Sequence, residues 1–233
     1  MRQRIITALD VSGVEPALAL AHKLGPHGLF VKVGLELFSA AGPTVVSQLQ
    51  ACGKKVFLDL KYHDIPNTIA GAARVAASLG AAMVTVHATA GRRALSAAVA
   101  ALHQTDIQNQ PALLAVTILT SLSEAELNEI APGPEHIQQR VLRLAHLALE
   151  CGCDGIVCSA ADLKFVRADI GAEPLVVTPG IRSASAATDD QRRIATPAAA
   201  AAAGADFLVI GRPITRAADP ATALLDISRE LPD

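Results

Sequence analysis

Aromatic residues are scarce in this sequence: of its 233 residues none is Trp, one is Tyr and five are Phe. Because 51% of the chain is nevertheless hydrophobic, its core must consist of aliphatic side chains and alanine. No hydrophobic run reaches the roughly 18 to 20 residues that a membrane-spanning helix requires. Residues 1–4 lead directly into a short apolar strand, without the apolar segment and cleavage site of a signal peptide. We therefore expect a soluble cytoplasmic protein with no membrane partner.

An excess of positive charge is also missing. The chain has 20 Lys and Arg against 22 Asp and Glu, a formal net charge of −2, and its basic residues are scattered. Surfaces that bind nucleic acid are basic and clustered. The composition therefore argues against a nucleic-acid partner.

The sequence contains few cysteines and no recognisable metal motif. Cys151, Cys153 and Cys158 lie close together and Cys52 stands apart, but no second pair or histidine follows at the spacing of a zinc site. An H-E-x-x-H motif and a cluster of carboxylates are missing as well. We expect reduced structural thiols and a site without metal.

Short β-branched runs alternate with Ala- and Leu-rich helical segments along the whole chain. Strict alternation of this kind predicts parallel strands joined by crossover helices. Eight such units in a chain of 233 residues, close to the ~250 residues usual for this fold, predict a single (β/α)8 TIM barrel covering residues 1–233. The alternative, an open doubly wound sheet, lacks its G-x-G-x-x-G signature after the first strand. The predicted strands span residues 4–9, 29–33, 55–60, 82–87, 112–118, 155–158, 175–178 and 207–210.

Charged residues come at the C-terminal ends of several predicted strands. Asp10 follows the first strand, Lys32 is in the second, and Asp59 and Lys61 end the third, with Asp64 just beyond. Positions 59 and 61 share one face of a strand, since side chains alternate. Barrels of this class carry their active sites at the C-terminal ends of their strands. The sequence therefore predicts that these charges meet there.

The order of charges in this group alternates in sign. Lys32, Asp59, Lys61 and Asp64 can be arranged plus, minus, plus, minus, and opposite charges ~4 Å apart attract by about 4 kcal/mol at an effective dielectric constant near 20. Flanking carboxylates favour the charged form of a lysine. A fixed ammonium suits protonation or stabilisation of a developing carbanion, whereas Schiff-base chemistry needs a neutral amine.

A second group of residues follows the seventh and eighth predicted strands. Each strand runs into a Gly-x-Arg or Gly-Arg segment, which ends at Arg182 and Arg212. In such barrels these loops commonly bind phosphate, and Gly211 allows close approach of the backbone to an anion. The polar stretch of residues 183–193 is long enough for a lid, from which Gln191 could reach a ligand. Thr120, Ser121 and His87 also lie at this end of the barrel.

The segment of residues 59–68 reads D-L-K-Y-H-D-I-P-N-T. It resembles the D-x-K-x-x-D-I-P-N-T signature of the orotidine 5′-monophosphate decarboxylase family. The resemblance extends almost from end to end of the chain. It includes residues 8–10 (A-L-D), 31–34 (V-K-V-G), 119–121 (L-T-S), 178–182 (T-P-G-I-R), 190–193 (D-Q-R-R) and 209–214 (V-I-G-R-P-I).

This resemblance implies an enzyme that removes CO2 from orotidine monophosphate to give uridine monophosphate, the last step of pyrimidine nucleotide synthesis. It implies no metal and no organic cofactor. The catalytic residues would be Lys61 as proton donor to C6, Asp59 beside the leaving carboxylate, Lys32 holding the ribose and orienting Asp59, and Asp64 from the partner subunit of a homodimer. The other substrate-binding residues that it implies are Ile65 and Thr68, contributed by the partner, Asp10 at the ribose, Thr120 and Ser121 at the pyrimidine, Pro179, and Arg182, Gln191, Gly211 and Arg212 at the phosphate.

Two other interpretations stay open at this stage. A related barrel with D-x-K-x-x-D is a magnesium-dependent sugar-phosphate decarboxylase or aldolase, which needs a further metal-binding carboxylate, and Glu36 is the obvious candidate. A barrel that only binds a nucleotide is the second. It is disfavoured because buried ions without a function are costly.

Overall fold

The computed structural model describes residues 4–105, 107, 110–181 and 195–232. Eight strands alternate with helices along the chain, as the sequence predicts. The strands are β1 (Ile5–Ala8), β2 (Phe30–Gly34), β3 (Lys55–Tyr62), β4 (Met83–His87), β5 (Ala112–Val116), β6 (Gly155–Val157), β7 (Leu175–Thr178) and β8 (Phe207–Ile210). The α-helices are α1 (Val14–Leu24), α2 (Leu35–Ala41), α3 (Thr44–Ala51), α4 (Pro66–Ser78), α5 (Arg92–His103), α6 (Glu124–Ile130), α7 (Ile137–Glu150), α8 (Leu163–Ile170), α9 (Pro197–Ala202), α10 (Arg212–Thr215) and α11 (Pro220–Arg229).

The sheet closes on itself. Each strand pairs in parallel with the next, and β8 pairs with β1, where Thr7 lies opposite Ile210. This arrangement confirms the predicted (β/α)8 barrel and excludes the open doubly wound sheet. It also brings the C-terminal ends of all eight strands to one end of the molecule.

Alternation of side chains along the strands divides the core into two layers. On β1, Ile5 and the following Leu9 pack outward against the helices, whereas Ile6 and Ala8 fill the barrel interior. The interior layer is largely aliphatic, as the composition indicates, and Phe57 is its fully buried aromatic member. The other buried members of this layer are Met83, Leu114, Val116, Val157, Val177 and Val209.

Several helix boundaries follow from local sequence. The side chain of Ser123 accepts a hydrogen bond from the N–H of Glu126, and the carboxylate of Glu126 accepts one from the N–H of Ser123. These two bonds form a capping box at the start of α6. Thr196 caps α9, and Asp219 caps α11. The structure differs from the sequence prediction at β3, which continues two residues beyond the expected end at residue 60.

The cysteines form no disulfide, and all four are free thiols. Burial raises the pKa of the Cys153 thiol to about 12, so this group is protonated at neutral pH. In the part of the chain that the structure describes, every helix is too short or too polar to cross a bilayer.

Candidate active site

A cavity of about 250 Å³ opens at the C-terminal ends of the strands. Its floor is apolar and comes from the interior layer of the barrel, through residues such as Phe57, Val116 and Val157. Charged side chains occupy one wall, and the loops after β7 and β8 form another. The polar and loop residues that line it are Asp10, Lys32, Asp59, Lys61, Thr120, Pro179, Gly180, Gly211, Arg212 and Pro213.

Four charged residues form a continuous chain of ion pairs along the wall. Lys32 Nζ lies 2.8 Å from Asp10 Oδ1 and 3.8 Å from Asp59 Oδ2. Lys61 Nζ lies 2.9 Å from both oxygens of Asp59. Asp59 is the most enclosed of the acids, with a side chain 12% exposed against 60% for Asp10. Asp10, Lys32, Asp59 and Lys61 meet as predicted, but within one chain the second acid of the series is Asp10 and not Asp64.

The backbone of β3 explains how two neighbouring charges reach the same wall. Leu58 pairs with Val84 on β4, and Tyr62 pairs with Val86, so three residues of β3 lie opposite one residue of β4. The extra residues form a bulge, and Lys61 adopts a left-handed backbone with φ of 51°. Side chains still alternate through the bulge, since Leu60 packs outward. The sequence predicts this alternation but not the bulge, which depends on pairing with β4.

Thr85 is a contributor that the sequence analysis does not identify. Its hydroxyl donates to Asp59 Oδ1 at 3.1 Å and accepts from the N–H of Lys61 at 2.8 Å. A signal is present in the sequence, because Thr85 is a polar residue at an inward position of β4, between Met83 and His87. That signal is weak, since threonine is common in strands for other reasons.

His87 ends β4, as predicted, but it does not line the cavity. Its ring lies edge to face with that of His63, with centroids 5.5 Å apart. The pKa of His87 is lowered, chiefly by burial and then by the nearby His63 and Lys61, while Asp59 acts in the opposite direction. His87 is thus held toward its neutral form beside the charged wall.

The predicted phosphate-binding residues are partly within the described structure. Gly211 and Arg212 line the cavity at the junction of β8 and α10, and Pro179 lines it after β7. Arg182 and Gln191, with the rest of the predicted lid, lie outside the described residues. On the opposite side, Thr120 lines the cavity, whereas Ser121 follows it on the exposed turn and is not part of the lining.

The residues predicted to act across a dimer lie outside the cavity of a single chain. Asp64, Ile65 and Thr68 are exposed at its edge, before and within the first turn of α4. Asp64 Oδ1 accepts a hydrogen bond from the N–H of Ile65 at 2.6 Å. Ile65 is 67% exposed, which is unusual for so large an apolar side chain.

The described residues contain no group of three or more His, Cys, Asp or Glu side chains arranged to hold a metal ion. Glu36, the candidate metal ligand of the magnesium-dependent alternative, is exposed on α2 and does not line the cavity. The lysines and aspartates that line the cavity can carry out acid–base chemistry. The fold and the site thus define a class: a (β/α)8 barrel enzyme with interleaved lysines and aspartates at the C-terminal ends of its strands.

Comparison with known proteins narrows that class. The family model described as "Orotidine 5'-phosphate decarboxylase / HUMPS family" matches residues 3–227, and the chain belongs to this family. Curated relatives include the orotidine 5'-phosphate decarboxylases of Halorhodospira halophila, 53% identical over 98% of this chain and 95% of the relative, and Chromobacterium violaceum, 50% identical over 97% and 91%. A crystal structure of the Lactobacillus acidophilus orotidine 5'-phosphate decarboxylase is 41% identical, with a TM-score of 0.88 over 98% of this chain and 99% of that one.

Proposed function

We propose that the chain converts orotidine 5′-monophosphate to uridine 5′-monophosphate and CO2, in pyrimidine nucleotide biosynthesis, without metal or organic cofactor. The observation that carries this proposal is the pair of Asp59 and Lys61 on the charged wall of the cavity, with Nζ 2.9 Å from both carboxylate oxygens. Relatives about 50% identical over nearly the whole chain bear the name of this activity.

The reaction needs a proton at the carbon that loses CO2. When the bond between C6 and the carboxylate breaks, its electron pair stays on C6 and CO2 departs. The ammonium of Lys61 delivers a proton to that electron pair, and the resulting neutral amine recovers a proton from solvent. With its side chain 29% exposed, Lys61 has access to water for this last step.

Asp59 and Lys32 hold the proton donor in position. Asp59 binds Lys61 through both oxygens and is itself flanked by Lys32, so its carboxylate cannot rotate without losing an ion pair. Charges fixed in this way need no reorganisation as negative charge develops on C6. On this proposal Asp59 is also next to the carboxylate that leaves the substrate. We assign the larger part of the rate enhancement to preorganised charge rather than to repulsion between these two carboxylates.

The phosphate of the substrate is assigned to the other wall of the cavity. Arg212 offers a planar guanidinium and Gly211 an accessible backbone, and the proposal adds Arg182 and Gln191 from outside the described residues. On this proposal Asp10 and Lys32 bind the ribose, Thr120 and Pro179 in the cavity lining enclose the base, and Ser121 approaches the base from the turn beside that lining. Binding energy from the remote phosphate can then hold the base against Lys61.

We further propose that the active form is a homodimer in which Asp64, Ile65 and Thr68 complete the partner's site. Two observations support this. Asp64 is a charged residue of the signature segment that does not reach the cavity of its own chain, and Ile65 beside it is largely exposed. In a two-fold dimer the same surface meets itself, so each chain would give and receive the same residues.

The activity is tested by adding orotidine 5′-monophosphate to the purified chain and following the loss of its ultraviolet absorbance, with EDTA present. The proposal predicts full activity with the chelator. Activity that requires added Mg²⁺, or that appears only with a sugar phosphate, would support the magnesium-dependent alternative. Tight binding of the nucleotide without turnover would support a binding protein.

The shared site is tested with hybrid dimers of two inactive variants, Asp64→Ala and Lys61→Ala. In a heterodimer one site keeps its own Lys61 and receives a native Asp64, so an equal random mixture should recover about a quarter of the wild-type activity. The matched control mixes Lys32→Ala with Lys61→Ala, which act within one chain and should give no recovery. Verified Asp64→Ala and Lys61→Ala heterodimers without activity would overturn the shared site.

A further inference from the structure

Thr85 lies beneath the charged wall, at the middle of β4. It is 0% exposed and does not line the cavity, so it can touch neither solvent nor substrate. The bulge in β3 places two inward residues, Asp59 and Lys61, opposite this one threonine. The single hydroxyl at position 85 therefore faces both members of the central ion pair.

The direction of each hydrogen bond at Thr85 is fixed by chemistry. The N–H of Lys61 can only donate, so the hydroxyl accepts from it, at 2.8 Å. The one hydroxyl proton is then available for Asp59 Oδ1, 3.1 Å away. Because the carboxylate carries negative charge, this second bond is of the stronger, charge-assisted kind.

The bond to Lys61 supports an unfavourable backbone. Among the described residues Lys61 is the one non-glycine residue with a positive φ, at 51°, a conformation that L-residues rarely adopt. A bulge also interrupts the regular pairing of the strand, so a buried N–H there needs another acceptor. The hydroxyl of Thr85 supplies it.

We propose that Thr85 is a positioning residue, whose hydroxyl fixes the main chain of Lys61 and the carboxylate of Asp59 in one geometry. The inference rests on the proposed function, because its purpose is to aim the Lys61 ammonium at the reacting carbon. If the hydrogen bond from the Lys61 N–H shifted relative to the hydrogen bond to Asp59, Nζ of Lys61 would move away from both oxygens of Asp59. Small displacements of a reacting group are costly in rate.

The other buried threonines show that this role is specific to position 85. Thr117 donates to the main-chain carbonyl of Val157 at 3.1 Å. The hydroxyls of Thr7 and Thr178 are buried and have no hydrogen-bond partner among the described residues. Thr7→Val therefore provides a matched control: a buried strand threonine changed to its isostere, with no bond to lose.

The test compares Thr85→Val, Thr85→Ser and Thr7→Val in the decarboxylation of orotidine 5′-monophosphate. For Thr85→Val we expect kcat about 10- to 100-fold below wild type, the effect of losing a bond to a charged group. KM and the Kd of uridine 5′-monophosphate should stay within about threefold, since Thr85 does not line the cavity. Thr85→Ser should recover kcat to within about threefold, and Thr7→Val should resemble wild type.

A merely structural role for Thr85 predicts a different result. Thr85→Val would then lower the unfolding temperature but leave kcat at wild-type level well below that temperature, which would overturn the proposal. If Thr85→Val does not fold, Thr85→Ala is measured against Thr85→Ser with the same expectations. Hydrogen exchange at the Lys61 amide is a second readout, and Thr85→Val should speed it at least about tenfold relative to Thr7→Val.

The exchange readout separates this inference from the proposed function. A wild-type chain without decarboxylase activity would refute the proposed function. Faster hydrogen exchange at the Lys61 amide in Thr85→Val would still confirm that the Thr85 hydroxyl holds the main chain of Lys61. If the wild type is active, and Thr85→Val and Thr7→Val have equal kcat and equal hydrogen exchange at Lys61, the positioning role of Thr85 is refuted and the proposed function is not.

Discussion

Both carboxylate oxygens of Asp59 lie 2.9 Å from Nζ of Lys61, two residues further along the same strand. In a regular strand, the side chains of residues i and i+2 are neighbours on one face. This geometry alone does not direct a lysine ammonium toward the aspartate two residues before it. Here the bulge in β3 and the positive φ of Lys61 accomplish this. The position of the Lys61 ammonium is thus set by the backbone as well as by its charged neighbours.

Gly34 is expected to be necessary for full turnover, because the missing side chain leaves room for the ammonium of Lys32. A Cβ at position 34 would lie 2.8 Å from Lys32 Nζ, so Gly34→Ala should displace that ammonium from Asp10 and Asp59. We predict a fall in kcat of about tenfold or more. The unfolding temperature should stay equal or rise, since φ is −96° and alanine restricts the unfolded chain.

The control for this substitution is Gly13→Ala. Gly13 precedes α1 as Gly34 precedes α2, but a Cβ there would meet nothing within 4 Å. Its kcat should equal that of the wild type. Equal kcat values for the two alanine variants would show that the position of Lys32 does not matter for turnover.

Arg212 is expected to act mainly in binding. Arg212→Ala removes the guanidinium that we assign to the phosphate, and KM should rise about 100-fold, as for the loss of a charge-assisted pair. The fall in kcat should be smaller, less than about tenfold. Arg216→Ala is the control, because Arg216 is exposed just beyond α10 and does not line the cavity. An unchanged KM in Arg212→Ala would contradict the phosphate assignment.

His87 is expected to make stability depend on pH. Its pKa is lowered in the folded state by burial and by His63 and Lys61, so the unfolded chain binds its proton more readily. Stability should therefore be complete above the ordinary histidine pKa of about 6.5 and decline as pH falls below it. We predict that the unfolding temperature of His87→Gln depends less steeply on pH between 5 and 7 than that of the wild type.

The exposed His27 offers the comparison, and His27→Gln should keep the wild-type slope. The measurement is a series of thermal unfolding curves in buffers of equal ionic strength. If the unfolding temperature of His87→Gln depends on pH as steeply as that of His27→Gln, His87 does not contribute to the pH dependence of stability.

What the sequence could predict depends on how local each feature is. Asp10, Lys32, Asp59 and Lys61 were identifiable because alternation along each strand and the C-terminal end of a barrel are properties of short segments. Thr85 was not, since its bonds reach 24 and 26 residues back along the chain and depend on the pairing of β3 with β4. Asp64 gives a different case: its position after β3 is predictable, but the role that we propose for it needs a second chain.

The most direct test of the account is a single-turnover measurement of CO2 release from orotidine 5′-monophosphate by wild type, Lys61→Ala and Lys23→Ala, with EDTA present. Lys23 is an exposed lysine of α1, so Lys23→Ala controls for the loss of a positive charge. We expect release at the wild-type rate in Lys23→Ala and about 1,000-fold slower release, or none, in Lys61→Ala. Release by Lys61→Ala at a tenth of the wild-type rate, or about that, would contradict the assignment of Lys61 as the proton donor.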